Sequence, residues 1–146
     1  MYDLKTGRVD LIKDRYGWIA EDRTESGQLK VVGHGTAFFW AQMVMGDTAD
    51  NVKGLLKCRN SLVGPGEALW LLGGVRAEDD AANAVLDCYR AIDQNPLPEA
   101  VCLWLLRAHH DTAEGYIWSL GLSAQNREFV KDCYNCLLYT SDAADE

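Results

Sequence analysis

The sequence predicts an α+β protein: N-terminal β-hairpins followed by a mainly α-helical region. Residues 1–32 carry short β-type segments separated by polar turns. From Thr36 onward, apolar residues recur at helical spacing between glycine and proline breaks. A hydrophobic content of 48% and an aromatic content of 10% are typical of a chain that buries a core.

Two hairpins are predicted in the β-type region. Residues 2–4 and 9–12 form the first, joined by a short turn that contains Gly7. Residues 18–20 and 29–32 form the second, joined by a longer polar loop.

The first helix is predicted over residues 37–45, with Thr36 as its N-cap. Its residues are mostly apolar, so we expect it to be largely buried. Gly46 breaks this helix, and Asp47 is placed to cap a second short helix that runs to Val52.

Further helices are predicted downstream, where glycine and proline mark their limits. A glycine pair at 73–74 ends the first, acidic residues occupy the first turn of the second, and a proline-rich turn at 95–98 precedes the third. The predicted helices span residues 65–72, 78–92, 99–108 and, with little periodicity, 111–134.

Charge and cysteine content limit the classes of function. The formal net charge of −8 is a poor footprint for bulk electrostatic binding of nucleic acid, so any DNA contact must use a local patch or a metal ion. No apolar run approaches the ~20 residues of a membrane span, and the N-terminus does not have the pattern of a signal peptide. The odd count of five cysteines indicates reduced thiols, which predicts a cytoplasmic protein.

Asp47 and Asp50 are the strongest candidates for chemistry. In a helical turn, carboxylates at i and i+3 lie on one face with Cβ atoms about 5–6 Å apart. That spacing suits two oxygen ligands of Mg²⁺ or Mn²⁺, an ion that could activate water in phosphodiester hydrolysis. The alternative is that Asp47 only caps a helix and that Asp50 is a solvated acid in its first turn.

The segment 46–55, Gly-Asp-Thr-Ala-Asp-Asn-Val-Lys-Gly-Leu, resembles the GDxxDNIxGL signature of the 5′-nuclease superfamily. This superfamily includes flap endonucleases, bacteriophage 5′→3′ exonucleases and the 5′-nuclease domain of bacterial DNA polymerases. Residues 38–45 look most like the bacteriophage versions, and the similarity covers residues 33–75. The resemblance implies that Asp47 and Asp50 bind the second metal of a two-metal site, while Gly46, Asn51 and Gly54 build the turn.

A second segment, Val-Gly-Pro-Gly-Glu-Ala at 63–68, resembles half of the family's helix–three-turn–helix. The resemblance implies that backbone amides at Gly64 and Gly66 grip a phosphate of duplex DNA, with Pro65 as a structural residue. It also implies carbonyls that could hold K⁺. The alternative is an ordinary surface loop.

The sequence departs from the family pattern around this turn. Residues 55–62 are longer than the family's turn, and Glu67 stands near the place of a family lysine. Glu67 would repel a phosphate, so Lys53, Lys57 and Arg59 are the candidates that restore positive charge.

The resemblance divides the chain into three parts. Residues 1–35 are the β edge of a nuclease domain, and residues 36–135 are the helical C-terminal domain. Residues 136–146 resemble the translation of an adapter used in sequencing libraries, which excludes them from functional interpretation.

We therefore expect the C-terminal part of a metal-dependent 5′→3′ exonuclease or flap-type nuclease, acting in a bacterial or phage-infected cell. The intact protein would hydrolyse phosphodiester bonds of duplex DNA at 5′ ends or flaps, and this chain alone would be inactive for lack of the other carboxylates. The alternatives are a non-catalytic DNA-binding module and an interaction protein in which the signature arose by chance.

Overall fold

The computed structural model describes residues 15–58, 61–105 and 112–144. Two short antiparallel hairpins and six helices make up these ranges. In chain order the elements are β1 (Trp18–Arg23), β2 (Leu29–His34), α1 (Thr36–Met45), β3 (Lys57–Cys58), β4 (Ser61–Leu62), α2 (Pro65–Leu72), α3 (Glu78–Ala91), α4 (Leu97–Leu105), α5 (Ala113–Ser119) and α6 (Ala124–Ala144).

The hairpin β1–β2 confirms the second predicted hairpin. Its register pairs Trp18 with His34 at one end and Arg23 with Leu29 at the other. Val31 is buried on the core side, so the hairpin packs one face against the helices. The first predicted hairpin lies outside the described residues.

Helix α1 is the centre of the core and is largely buried, as predicted. Phe39, Trp40 and Met43 are fully buried, and α1 contacts β1, β2 and the helices α2, α3 and α4. The prediction that Thr36 is its N-cap is wrong. Gly35 holds that position, and the Thr36 hydroxyl instead donates a hydrogen bond of 2.7 Å to the carboxylate of Glu78.

Four aromatic rings join α1 to α4 and α5. Trp104 and Tyr116 stack with centroids 4.2 Å apart, and Phe39 meets Trp104 edge-on at 5.1 Å. The Trp40 indole donates a hydrogen bond of 3.1 Å to the Tyr116 hydroxyl, so the polar ends of these two rings are paired inside the core.

The remaining helices follow the sequence pattern; α2 has its predicted limits, and the others differ from theirs. Helix α2 has Pro65 in its first turn. Proline is favoured there because it has no N–H, and the first amides of a helix have no acceptor within the helix. Helix α4 begins two residues before its predicted start, because the Asn95 side chain accepts a hydrogen bond of 2.9 Å from the Leu97 amide. The predicted segment 111–134 is divided into α5 and α6, and the Gly121 amide between them donates to Asp79 at 2.9 Å.

Helix α6 docks on α3 through a buried asparagine. The Asn126 amide donates to the side-chain oxygens of Asn83 at 3.0 Å and Asp87 at 2.8 Å, and its oxygen accepts from Arg90 at 3.1 Å. The helix continues past residue 136, where the adapter-like segment was expected to begin. Within the described ranges, no helix is long and apolar enough to cross a membrane.

Candidate functional site

The two candidate carboxylates lie in the loop 46–54, which we call the aspartate loop. Its ends are both glycines with left-handed backbones, Gly46 at φ 76° and Gly54 at φ 72°. A Cβ on Gly46 would lie 2.4 Å from the Val52 carbonyl oxygen, and one on Gly54 would lie 2.5 Å from the Gly46 nitrogen. The loop therefore closes where its two ends touch, which only glycine allows.

The predicted short helix after Asp47 is wrong. Asp47 and Val52 instead exchange two backbone hydrogen bonds of 2.8 Å each, which close a turn over residues 48–51. Asn51 adopts φ 58°, a left-handed conformation that asparagine tolerates better than most residues. The reciprocal pair reverses the chain within six residues, too tightly for a helix to continue.

Asp47 caps this turn with one carboxylate oxygen. Its Oδ1 accepts hydrogen bonds from the amides of Ala49 at 3.1 Å and Asp50 at 3.4 Å, while Oδ2 accepts one from Gln42 at 3.4 Å. Asp47 is half-buried and Asp50 is exposed. A carboxylate has about four lone-pair sites, so the capping bonds leave capacity on Asp47 for a cation.

Asp47 and Asp50 supply two carboxylates from one turn, in which the Asp50 amide donates to Asp47 Oδ1 at 3.4 Å. Mg²⁺ prefers six oxygen ligands and is commonly held by one or two carboxylates with water and phosphate oxygens. Among the described residues, no group of three or more His, Cys, Asp or Glu side chains is placed to hold a metal. Within the described residues, the loop therefore offers two carboxylates and not a complete metal centre.

Backbone hydrogen bonds from Leu55 and the distant Tyr89 side chain hold the base of the aspartate loop. The Leu55 amide donates to the carbonyls of Met43 at 3.0 Å and Val44 at 3.1 Å, and the Tyr89 hydroxyl also donates to the Met43 carbonyl. Burial of this hydroxyl, together with the charge of Glu99, raises the pKa of Tyr89, so the phenol remains a donor.

Gln94 and Glu99 hold the outgoing end of the loop. Gln94 Nε2 donates to the Gly54 carbonyl and its Oε1 accepts from the Leu56 amide, both at 2.9 Å. Glu99 accepts from the Gly54 amide at 3.4 Å. Sequence reasoning missed both residues, because they lie outside the family-like segment and no local pattern connects them to it.

The candidate DNA-binding cations are only partly described. Lys53 is exposed at the end of the aspartate loop. Lys57 lies in β3, where the structure describes the backbone alone, and Arg59 lies outside the described residues. The two-residue strands β3 and β4 occupy the stretch 55–62, where the sequence is longer than the family's turn.

Gly64 and Gly66 lie at the start of α2, one as the N-cap and the other in the first turn. Gly64 has an extended backbone with φ −149°, which any residue adopts. A Cβ there would meet no described atom within 4 Å, and one on Gly66 would meet only the Leu29 side chain at 3.8 Å. The described part of the chain therefore has no steric need for glycine at either position.

No known protein family, curated protein or solved structure matches this chain. The aspartate loop and the start of α2 are therefore the parts of the described structure from which a function can be proposed.

Proposed function

We propose that this chain is the DNA-binding part of a metal-dependent 5′→3′ exonuclease or flap-type nuclease. In this proposal Asp47 and Asp50 hold one divalent cation of a two-metal site. The observation that carries it is the closure of the aspartate loop by Gly46 and Gly54, which keeps both carboxylates on one turn.

The bound ion would supply charge neutralisation and water activation at the scissile phosphate. Asp47, oriented by Gln42 and by the amides of its turn, would fix the direction of approach, and the exposed Asp50 would complete the pair. The resemblance assigns the other catalytic carboxylates to a preceding domain. We therefore expect this chain alone to bind DNA without hydrolysing it.

The start of α2 is the proposed phosphate contact. Gly64 and Gly66 leave open space at positions where the described chain does not require it, and a glycine lets a phosphate approach the backbone closely. The N-terminus of a helix favours an anion. In α2 the contact would use the Gly64 and Gly66 amides, because Pro65 has no N–H and the Glu67 and Ala68 amides donate to the Gly64 carbonyl. Lys53 and the bound cation would offset the repulsion of Glu67.

The test measures binding of a fluorescent duplex with a 5′ flap, by anisotropy, in Mn²⁺ and in EDTA. We expect Mn²⁺ to tighten binding by wild-type chain and Asp50→Asn to weaken the Mn²⁺-dependent binding, on the order of 10-fold. The direction of the change in DNA affinity separates loss of a metal ligand from a simple charge effect. Removing a negative charge would by itself strengthen binding to DNA.

Asp132→Asn is the matched control, since Asp132 is an exposed acid on α6 and its substitution makes the same change in charge. If both variants bound DNA slightly more tightly than wild type and to the same extent, the proposed metal site would be overturned. Tight DNA binding that is the same in Mn²⁺ and in EDTA would instead support the non-catalytic DNA-binding module.

A further inference from the structure

We propose that Gln94 is a positioning residue for the aspartate loop and thereby sets its affinity for the cation. Gln94 lies between α3 and α4, beyond the segment 33–75 that resembles the nuclease family. The inference rests on the proposed function, because it concerns the same metal-binding loop.

The Gln94 amide holds the outgoing end of the loop as a neighbouring strand would. It donates to the Gly54 carbonyl and accepts from the Leu56 amide, each at 2.9 Å. The Gln side-chain amide offers a donor and an acceptor side by side, which matches the C=O and N–H that this stretch of backbone presents. The two bonds fix both the position and the rotation of the peptide units around Gly54.

Movement of Gly54 would be transmitted directly to the carboxylates. The ends of the loop touch where Gly54 meets Gly46, the residue before Asp47. Asp47 in turn pairs with Val52 on the outgoing side. A shift of Gly54 therefore displaces both sides of the turn that carries Asp50.

Gln94 is itself held in place by α3. Its backbone amide donates to the Tyr89 carbonyl at 2.9 Å, and the hydroxyl of the same tyrosine donates to Met43 at the incoming end of the loop. Asp93, just before it, has φ 54°, which turns the chain so that Gln94 faces the loop. Tyr89 and Gln94 thus connect the two ends of the loop to one helix.

The test follows Mn²⁺-induced broadening of the backbone amide signals of residues 48–51 by NMR, with the full 146-residue chain. Gln94→Met removes both hydrogen bonds at similar side-chain length. We expect the Mn²⁺ concentration at half-broadening to rise by up to about 10-fold, since Gln94 acts through Gly54 and a direct partner of a metal ligand is typically worth at least that much. Gln125→Met, at an exposed glutamine on α6, is the matched control and should match wild type.

Gln94→Glu is the second variant, in case Gln94→Met does not fold. It keeps an acceptor for Leu56 but presents a carboxylate to the Gly54 carbonyl, so it should also weaken Mn²⁺ binding. Its added negative charge acting alone would strengthen that binding, which separates positioning from simple electrostatics.

The outcomes distinguish this inference from the proposed function. If wild-type chain shows no Mn²⁺ effect at residues 48–51, the proposed metal site fails and the role of Gln94 fails with it. If wild-type chain binds Mn²⁺ and a folded Gln94 variant has the same half-broadening concentration, only the positioning role is overturned.

Discussion

At the scale of single residues, Gly54 and Gly66 differ in what an added methyl group would meet. At Gly54 it would lie 2.5 Å from a backbone nitrogen, in a left-handed conformation, whereas at Gly66 it would only touch the Leu29 side chain at 3.8 Å. We predict that Gly54→Ala lowers the free energy of unfolding by more than about 1 kcal/mol. Gly66→Ala, in the first turn of a helix, should raise it by up to about 1 kcal/mol.

Urea denaturation of the two variants measures this difference directly. Each variant is the control for the other, because both make the same chemical change. If Gly54→Ala were as stable as wild type, the close contact between the two ends of the aspartate loop would be wrong, and the geometric basis of the site with it.

The aspartate loop shows which structural features the sequence alone could predict. The pattern around Asp47 and Asp50 correctly predicted that Gly46 ends a helix, but not that the chain then turns back on itself. Acidic residues at i and i+3 are compatible with a helix and with a tight turn. The backbone hydrogen bonds between Asp47 and Val52 produce the turn. Gln94 could not be found from sequence, because its contacts with the loop join residues 38 and 40 positions apart.

At the scale of elements, Glu78 joins the start of α3 to three other parts of the chain. Arg15 forms a two-pronged ion pair with it, the closest contact being 2.7 Å, and the hydroxyls of Thr36 and Tyr116 donate to it at 2.7 and 2.9 Å. Its side chain is only 18% exposed. Burial alone would raise the pKa of Glu78, but these hydrogen bonds and the charge of Arg15 outweigh burial and lower it.

We predict a pH-dependent loss of stability in Glu78→Gln. Because the pKa of Glu78 is lowered on folding, its charge stabilises the folded state above the unfolded-state pKa of about 4.3 and ceases to do so as pH falls through the lower folded-state pKa. Wild type should exceed the variant by about 1.5 kcal/mol in free energy of unfolding at pH 7. That gap should narrow as the pH is lowered below about 4.3.

Urea denaturation between pH 3 and pH 7 provides the measurement, and Asp80→Asn is the control. Asp80 is an exposed acid in the same first helical turn, so it shares the helix dipole but lacks the network. A gap between wild type and Glu78→Gln that stays constant down to pH 3 would contradict the role of the Glu78 charge.

Element limits show which signals the sequence carries. The start of α2 at Pro65 and its end before Gly73 were predictable, because proline and glycine act through the local backbone. The break between α5 and α6 was not, because it depends on distant partners. The Gly121 amide donates a hydrogen bond to Asp79, and the Ser123 amide donates one of 2.8 Å to Asn83; both acceptors are on α3.

At the scale of the whole molecule, α6 attaches to the core through one stripe of its surface. Asn126, Val130 and Cys133 are buried, at the spacing of one helical face. Burial, with the neighbouring Cys136 and acidic groups, raises the pKa of Cys133 to about 11, as expected of an inert thiol in the core. Residues 134–136 are all exposed.

This arrangement predicts that ending the chain after Asn135 leaves the fold intact. The deletion removes residues 136–146, the adapter-like segment, and spares every described side chain with which α6 meets the core. The free energy of unfolding should change by no more than about 0.5 kcal/mol, measured by urea denaturation against the 146-residue chain.

Asn126→Ala is the control for a real loss of docking. It removes the fully buried amide that hydrogen-bonds with Asn83, Asp87 and Arg90. The free energy of unfolding should therefore fall by about 1–3 kcal/mol. If the truncated chain were destabilised as much as this variant, residues 136–146 would contribute to packing and would belong to the folded protein. If only Asn126→Ala is destabilised, the fold depends on α6 up to Asn135 alone, and the function can be tested with the shorter chain.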